Sequence, residues 1–194
     1  LYEMRLAAAQ KGTVLALESR AELAAAARER AARFGYARVR SVAASIALAE
    51  VPERVHLLTA LHACDTATDD AIALGIERSA DYIAVVPCCQ AEVARLLDTA
   101  RKPATSAELF RHPWHRREFG SHLTNVIRAL VLEANGYAVT VTELAGWEHS
   151  LKNEFILGRR VARSSPGAQA RLDAVLAEFA ISPALVRRLS ARAG

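Results

Sequence analysis

Four polar clusters in this chain each close or follow a short apolar run, and their side-chain types could do acid–base, nucleophilic or ligand-binding chemistry. Glu18 ends TVLAL; His62, Cys64 and Asp65 end VHLLTALHACD; Cys88, Cys89 and Gln90 follow YIAVVP; and Glu148, His149, Lys152 and Asn153 lie between two later apolar runs. An acidic residue at a strand end in a nucleotide-type sheet can accept hydrogen bonds from both hydroxyls of a ribose. The same Glu18 would also suit the first turn of a following helix, whose dipole favours negative charge.

Asp65, Asp69 and His149 are candidate bases for a nucleophile that must shed a proton. Asp69 is the weakest of them, because an aspartate in a first helical turn commonly serves the helix dipole. Cys88 and Cys89 are catalytic candidates as thiols, with His62 or His149 as base. Cys64, Cys88, Cys89 and His62 are also the soft and imidazole donors that zinc prefers. No CxxC or HExxH spacing accompanies them, so small semi-apolar cysteines at tight turns account for them without a metal.

The segment HPWHRR offers Trp114 for stacking and Arg116 and Arg117 for phosphate, the mixture that a single-stranded nucleic-acid channel uses. A solvated loop whose tryptophan covers the core is the alternative. Gln90, Lys152 and Asn153 are candidate contacts to a substrate, because of the edge on which they should fall.

The elements that must position these residues alternate between strand and helix. Residues 13–17, 39–44, 55–63 and 82–86 read as strands, and 21–34 as a helix of strong helix formers stopped by Gly35. Thr66 or Thr68 is placed to cap a helix over 69–78, and a further helix falls near 90–99. Residues 101–117, with Pro103 and Pro113, read as a loop or insertion. A long helix then runs to Asn135-Gly136, and strands 138–144 and 155–161 close the pattern. A cationic helical tail covers 168–189. Such alternation predicts an α/β fold with a mostly parallel sheet. All four polar clusters share one edge only if the last strand runs antiparallel. The expected division is one α/β domain over 1–163 and a C-terminal helical extension over 164–194.

The 194 residues are 52% hydrophobic and 24% charged, a globular balance that excludes a disordered chain. No apolar run approaches the roughly 20 residues needed to cross a bilayer, which predicts a soluble protein without a membrane partner. Three cysteines, two of them adjacent, make no secreted disulfide framework and fit the reducing cytoplasm. The net charge of +4 permits an RNA partner without requiring one. The sequence does not specify an oligomeric state.

In order, VLALESRAELAAAARERAARFG, LHACDTATDDAI, VVPCCQAEV, HRREFGSHLTNVIRALVLEANGY and EHSLKN resemble the class I S-adenosylmethionine-dependent methyltransferase domain family. That group includes methyltransferase-like proteins with strand-end HxC and PCC motifs and, more distantly, Trm13-type tRNA methyltransferases. The resemblance covers most of residues 13–161. It implies a Rossmann-like fold, S-adenosylmethionine as cofactor, and methyl transfer, with RNA (tRNA or rRNA) as the first expected acceptor. It further implies that Glu18 binds ribose, that Ala43 and Ala44 flank adenine, and that Leu61, His62 and Cys64 border the transferable methyl. The Pro87 to Gln90 turn would lie on the substrate side. The chain departs from the family pattern in two places. The first strand and glycine loop that should precede a helix over 1–10 are missing from the sequence as given, and residues 42–45 hold no acidic residue for the adenine. Two other readings stand beside this one: a non-catalytic methyltransferase-like module that binds RNA or protein, and a zinc-dependent enzyme.

Overall fold

The computed structural model describes residues 12–61, 63, 65–88, 90–99, 107–144 and 153–193. The fold is α/β and divides into two compact units, Leu1–Glu53 and Arg54–Gly194. The predicted helix over 1–10 lies outside the described residues.

In the first unit, β1 (Val14–Glu18) and β2 (Val39–Ala43) pair in parallel and are joined by α1 (Ala21–Arg33). Ala24 and Ala31, two turns apart on one face of α1, are its buried positions. Gly35 adopts φ +68, and the amides of Gly35 and Tyr36 bond back to Ala32 and Ala31. This left-handed stop lets the chain reverse into β2.

The second unit contains β3 (Leu57–Leu61), α2 (Thr66–Glu77), β4 (Tyr82–Val86), α3 (Glu92–Thr99), α4 (Ala107–Arg111) and α5 (Pro113–Ala134). It continues through β5 (Tyr137–Glu143), β6 (Glu154–Arg160), α6 (Pro166–Phe179) and α7 (Ala184–Ala193). Its sheet has the order β3-β4-β6-β5. β3 and β4 are parallel, whereas β6 is antiparallel to both β4 and β5. The antiparallel final strand that edge-sharing demanded is therefore present. Apolar residues on β4 and β6, among them Ile83, Val85, Val86 and Ile156, are buried with Ile72 of α2 and Ile127 and Leu132 of α5.

Three local expectations are corrected. Helix α2 starts at Thr66, and neither threonine caps it: Asp65 occupies the cap position, and the Thr68 hydroxyl donates back to the Ala63 carbonyl at 2.5 Å. The described part of 101–117 is helical rather than a loop, because Pro113 stands at the start of α5, where a missing amide hydrogen costs nothing. The C-terminal tail is two helices, broken where Ala180 takes φ +50 and Pro183 precedes α7. Both pack within the second unit, α6 on α5 and α7 on α2.

Gly120 allows α5 to approach α3, since a Cβ built there would lie 2.7 Å from the Ala94 backbone. Neither helix backbone can yield that distance without moving. We expect Gly120→Ala to lower stability by about 1–3 kcal/mol, the usual cost of overpacking a close approach. Urea denaturation checks this, and an unchanged midpoint would show that the two helices slide apart freely.

Candidate functional site

The register of the second unit brings four segment ends to one edge. Leu61 pairs with Val86 at the ends of β3 and β4, and Val85 pairs with Ile156 near the start of the antiparallel β6. Glu143 pairs with Glu154, so β5 ends at the same edge. Asp65, Cys88, Gln90 and Asn153, all predicted site residues, thus lie at ends that converge. Asn153 accepts the Leu144 amide through its carbonyl at 2.9 Å. His62, Cys64, Cys89, His149 and Lys152 lie outside the described residues.

Asp65 ties the β3 end to the β4 end. One carboxylate oxygen accepts the Ala91 amide at 3.1 Å and the other accepts an Arg95 guanidinium hydrogen at 3.2 Å. Burial acts to raise this carboxyl, but the Ala91 amide and the Arg95 charge outweigh it and leave its pKa below the ordinary value. Asp65 is therefore ionised and weakly basic. Its backbone takes φ +50, a left-handed conformation unusual for a residue with a side chain, which turns the chain sharply from β3 into α2.

Beneath this turn lies a buried polar network that the sequence did not reveal. Arg128 of α5 is 1% exposed and Asp69 of α2 is 8% exposed, with Nε donating to the carboxylate at 2.7 Å. The other two guanidinium nitrogens donate to Asn125 Oδ1 at 3.1 Å and to the Asp65 carbonyl at 3.0 Å. Asn125 Nδ2 in turn donates to Glu154 Oε2 at 2.8 Å, and Gln90 Nε2 donates to Asn125 Oδ1 at 3.1 Å. One charge pair and two amides thereby connect α2, α5, the β4–α3 turn and the start of β6. Burial pushes the Asp69 carboxyl up, while Arg128 pulls it back. Asp69 was read above as a base or a dipole partner; its structural partner is Arg128. Asn125 and Arg128 sit three residues apart amid the apolar positions Leu123, Ile127, Leu130 and Val131 of α5. Polar residues recurring at helical spacing on an otherwise apolar face are the signal that could have found them.

In the first unit, Glu18 and Ala43 are register partners, and the Ala44 amide donates to the Glu18 carbonyl at 3.0 Å. The predicted ribose and adenine residues therefore stand side by side. The Arg20 amide and side chain and the Ser19 hydroxyl all donate to Glu18 Oε1. Chiefly through the Arg20 amide, they hold the carboxyl below its usual pKa.

Residues 1–96 match a family model described as a methyltransferase domain. The match spans just under half of the chain and takes in Glu18, Ala43, Ala44, Leu61, Asp65, Cys88 and Gln90. Asn125, Arg128 and Glu154, which complete the polar network, lie beyond it. Among solved structures, the 23S rRNA methyltransferase ErmE is similar, with a TM-score of 0.48 and 16% identity over 84% of this chain. The chain spans 59% of the length of that methyltransferase. No curated protein matches.

The remaining predicted residues occupy the first turn of α5. Trp114 is 62% exposed, with the Arg117 guanidinium 4.5 Å from its ring centre. Arg116 is not free for phosphate, since it pairs with Asp98 of α3 at 2.8 Å. The described residues contain no cluster of three or more metal-ligating side chains, and no described helix is long and apolar enough to cross a membrane. An open cleft of about 380 Å³ lies at the other end of the sheet, beside Gly136, Tyr137 and Ser165, away from the converging strand ends.

Replacing Arg128 by Leu strands the Asp69 charge in the interior and should cost about 3–5 kcal/mol near neutral pH. With its counter-charge gone, the folded pKa of Asp69 climbs further above the unfolded value. A carboxyl shifted upward favours the folded state on protonation, so the deficit should shrink as pH falls from about 7 to about 5. Urea titrations at both pH values test this; a deficit independent of pH would mean that Asp69 carries no buried charge.

Proposed function

We propose that this chain is an S-adenosylmethionine-dependent methyltransferase that modifies RNA, acting in the cytoplasm. The observation that carries the reading is Glu18, an ionised carboxylate at a strand end beside Ala43 and Ala44, within the stretch that matches a methyltransferase domain. The residues fit the cofactor in their chemistry. An ionised carboxylate only accepts hydrogen bonds, which suits the two hydroxyls of a ribose, and the contacts of Arg20 and Ser19 engage only Oε1. Ala43 and Ala44 offer small apolar surface for a purine. The bound cofactor would supply an electrophilic methyl group on a sulfonium.

Methyl transfer is an in-line displacement at carbon, so the protein chiefly has to hold donor and acceptor in line. Asp65, by joining the β3 and β4 ends, fixes the segment on which Leu61, His62 and Cys64 would border the methyl. The Cys88 to Gln90 turn, with Asn153 and Lys152, would face the acceptor. Asp65, His149, Cys88 and Cys89 remain the candidates for removing a proton.

RNA as acceptor is supported by the net charge of +4, by the resemblance to tRNA-modifying enzymes, and by the exposed Trp114 with Arg117 stacked on it. An aromatic face and a cation together suit an unpaired base and its phosphate. This patch lies about 17 Å along the α5 axis from Asn125, counting 1.5 Å for each of the intervening residues. A single strand could span that distance in a few nucleotides.

Calorimetric titration of the full-length protein with S-adenosylhomocysteine should show binding. Glu18→Ala should weaken it about 10- to 100-fold, the worth of hydrogen bonds to a charged group. A folded protein that binds no S-adenosylhomocysteine would instead support the non-catalytic module. Replacing both Trp114 and Arg117 by Ala should weaken RNA binding about 5- to 100-fold, measured by filter retention, and reduce its salt dependence. The same double variant should bind S-adenosylhomocysteine as the parent does. RNA affinity unchanged by the double variant would remove this patch from the binding surface.

A further inference from the structure

Gln90 immediately follows the β4–α3 turn and is 9% exposed. Its orientation is dictated from the far end of the polar network. Glu154 is a carboxylate, which only accepts, so Asn125 must turn its amino group toward it. The Asn125 carbonyl then faces the other way and takes hydrogens from Arg128 and from Gln90 Nε2. Gln90 has no freedom left: its amino group is committed to Asn125, and its carbonyl oxygen is turned off that contact. That oxygen is buried and has no hydrogen-bond partner among the described residues.

An unpaired buried acceptor is costly, and three charged or amide side chains hold this one in place. The next residue, Ala91, is bonded to Asp65, so the oxygen belongs to the stretch that joins the two strand ends. Ligands of parallel sheets bind outside such ends.

We infer that Gln90 Oε1 accepts an N–H from the methyl acceptor, so that the enzyme methylates an amino nitrogen, such as the exocyclic amine of a base. This inference rests on the methyltransferase reading above. A hydroxyl has a single hydrogen; if it gave that to an amide oxygen, it would still need a base to take it. The described carboxylates near the turn are committed elsewhere, Asp65 to Ala91 and Arg95 and Asp69 to Arg128. An amino group can leave one hydrogen on Gln90 and direct its lone pair at the methyl. The new N–C bond forms as the C–S bond breaks, the electron pair of that bond stays on sulfur, and the methylated nitrogen releases a proton to water. Asn125 and Glu154 act through Gln90 as positioning residues.

The test uses the full-length protein, tritium-labelled S-adenosylmethionine and total cellular RNA. The RNA is digested to nucleosides, whose mass fragmentation separates base methylation from ribose methylation. The expected product carries the label on an exocyclic amino nitrogen. Gln90→Met should lower transfer about 10- to 100-fold, as the loss of one buried hydrogen bond to substrate would. Its affinity for S-adenosylhomocysteine should stay within about twofold of the parent. Glu154→Gln keeps the volume of the network but removes the reason for its polarity. It should raise KM for RNA several-fold with S-adenosylhomocysteine affinity unchanged, which covers the case in which Gln90→Met fails to fold. Ribose label, wild-type transfer by both variants, cofactor binding that falls with transfer, or no RNA labelling by a protein that binds S-adenosylhomocysteine would each overturn the inference. Failure of the parent protein to bind S-adenosylhomocysteine would sink the methyltransferase reading itself.

Discussion

Burying a guanidinium is tolerable only when every hydrogen it carries has somewhere to go, and much of the second unit is arranged around that requirement. Arg128 reaches a carboxylate on α2, a side-chain amide on its own helix and the Asp65 carbonyl on the β3–α2 turn. Each of these partners is fixed in turn by the demand. Such a pair adds little net stability over a well-packed apolar substitute, because desolvation consumes most of the Coulombic gain. What it contributes is direction. An apolar contact between α2 and α5 could slide by a fraction of a turn; a guanidinium with three acceptors cannot.

The direction propagates. Fixing Asn125 fixes Gln90, and fixing the Asp65 turn sets the carboxylate that receives Ala91. The strand ends of a parallel sheet are otherwise joined only through their ladder, which stops at Leu61 and Val86. Beyond that point the chain relies on side chains for its geometry. Catalysis by alignment needs that reliance to be rigid, since a misplacement of about 1 Å can cost on the order of 100-fold in rate.

Much of the architecture was legible in the sequence because it rests on local signals. Short apolar runs, Gly35 and Asn135-Gly136 gave the strands and the helix stops, and Gly136 indeed takes φ +83. The antiparallel β6 followed from asking that four polar strand ends share an edge, and the second unit meets that demand for the ends it contains. The start of α5 was missed because Pro113 was read as a breaker, whereas at the first position of a helix it is a start signal. Arg128 and Asn125 were missed for a different reason. A polar residue within an amphipathic helix is ordinarily assigned to the solvated side, and only the exact phase, one turn between Leu123 and Val131, places these two inside. The partner of Arg128 lies 59 residues away in sequence, so no local pattern could name it. Residues 62, 64, 89 and 145–152, where several predicted site residues fall, lie outside the described structure.

Glu92, at the first position of α3, accepts both the Ala184 amide and the Arg187 guanidinium of α7. Arg188 reaches Asp70 and Glu77 on α2. The turn that carries Gln90 thus receives its last restraints from residues near the end of the second unit. During synthesis the domain emerges from its N-terminal side first, and the β3 and β4 strands can pair well before α7 has left the ribosome. A nascent chain would therefore own its sheet before it owned a fixed strand-end geometry, so the second unit completes its site only when its last helix is released.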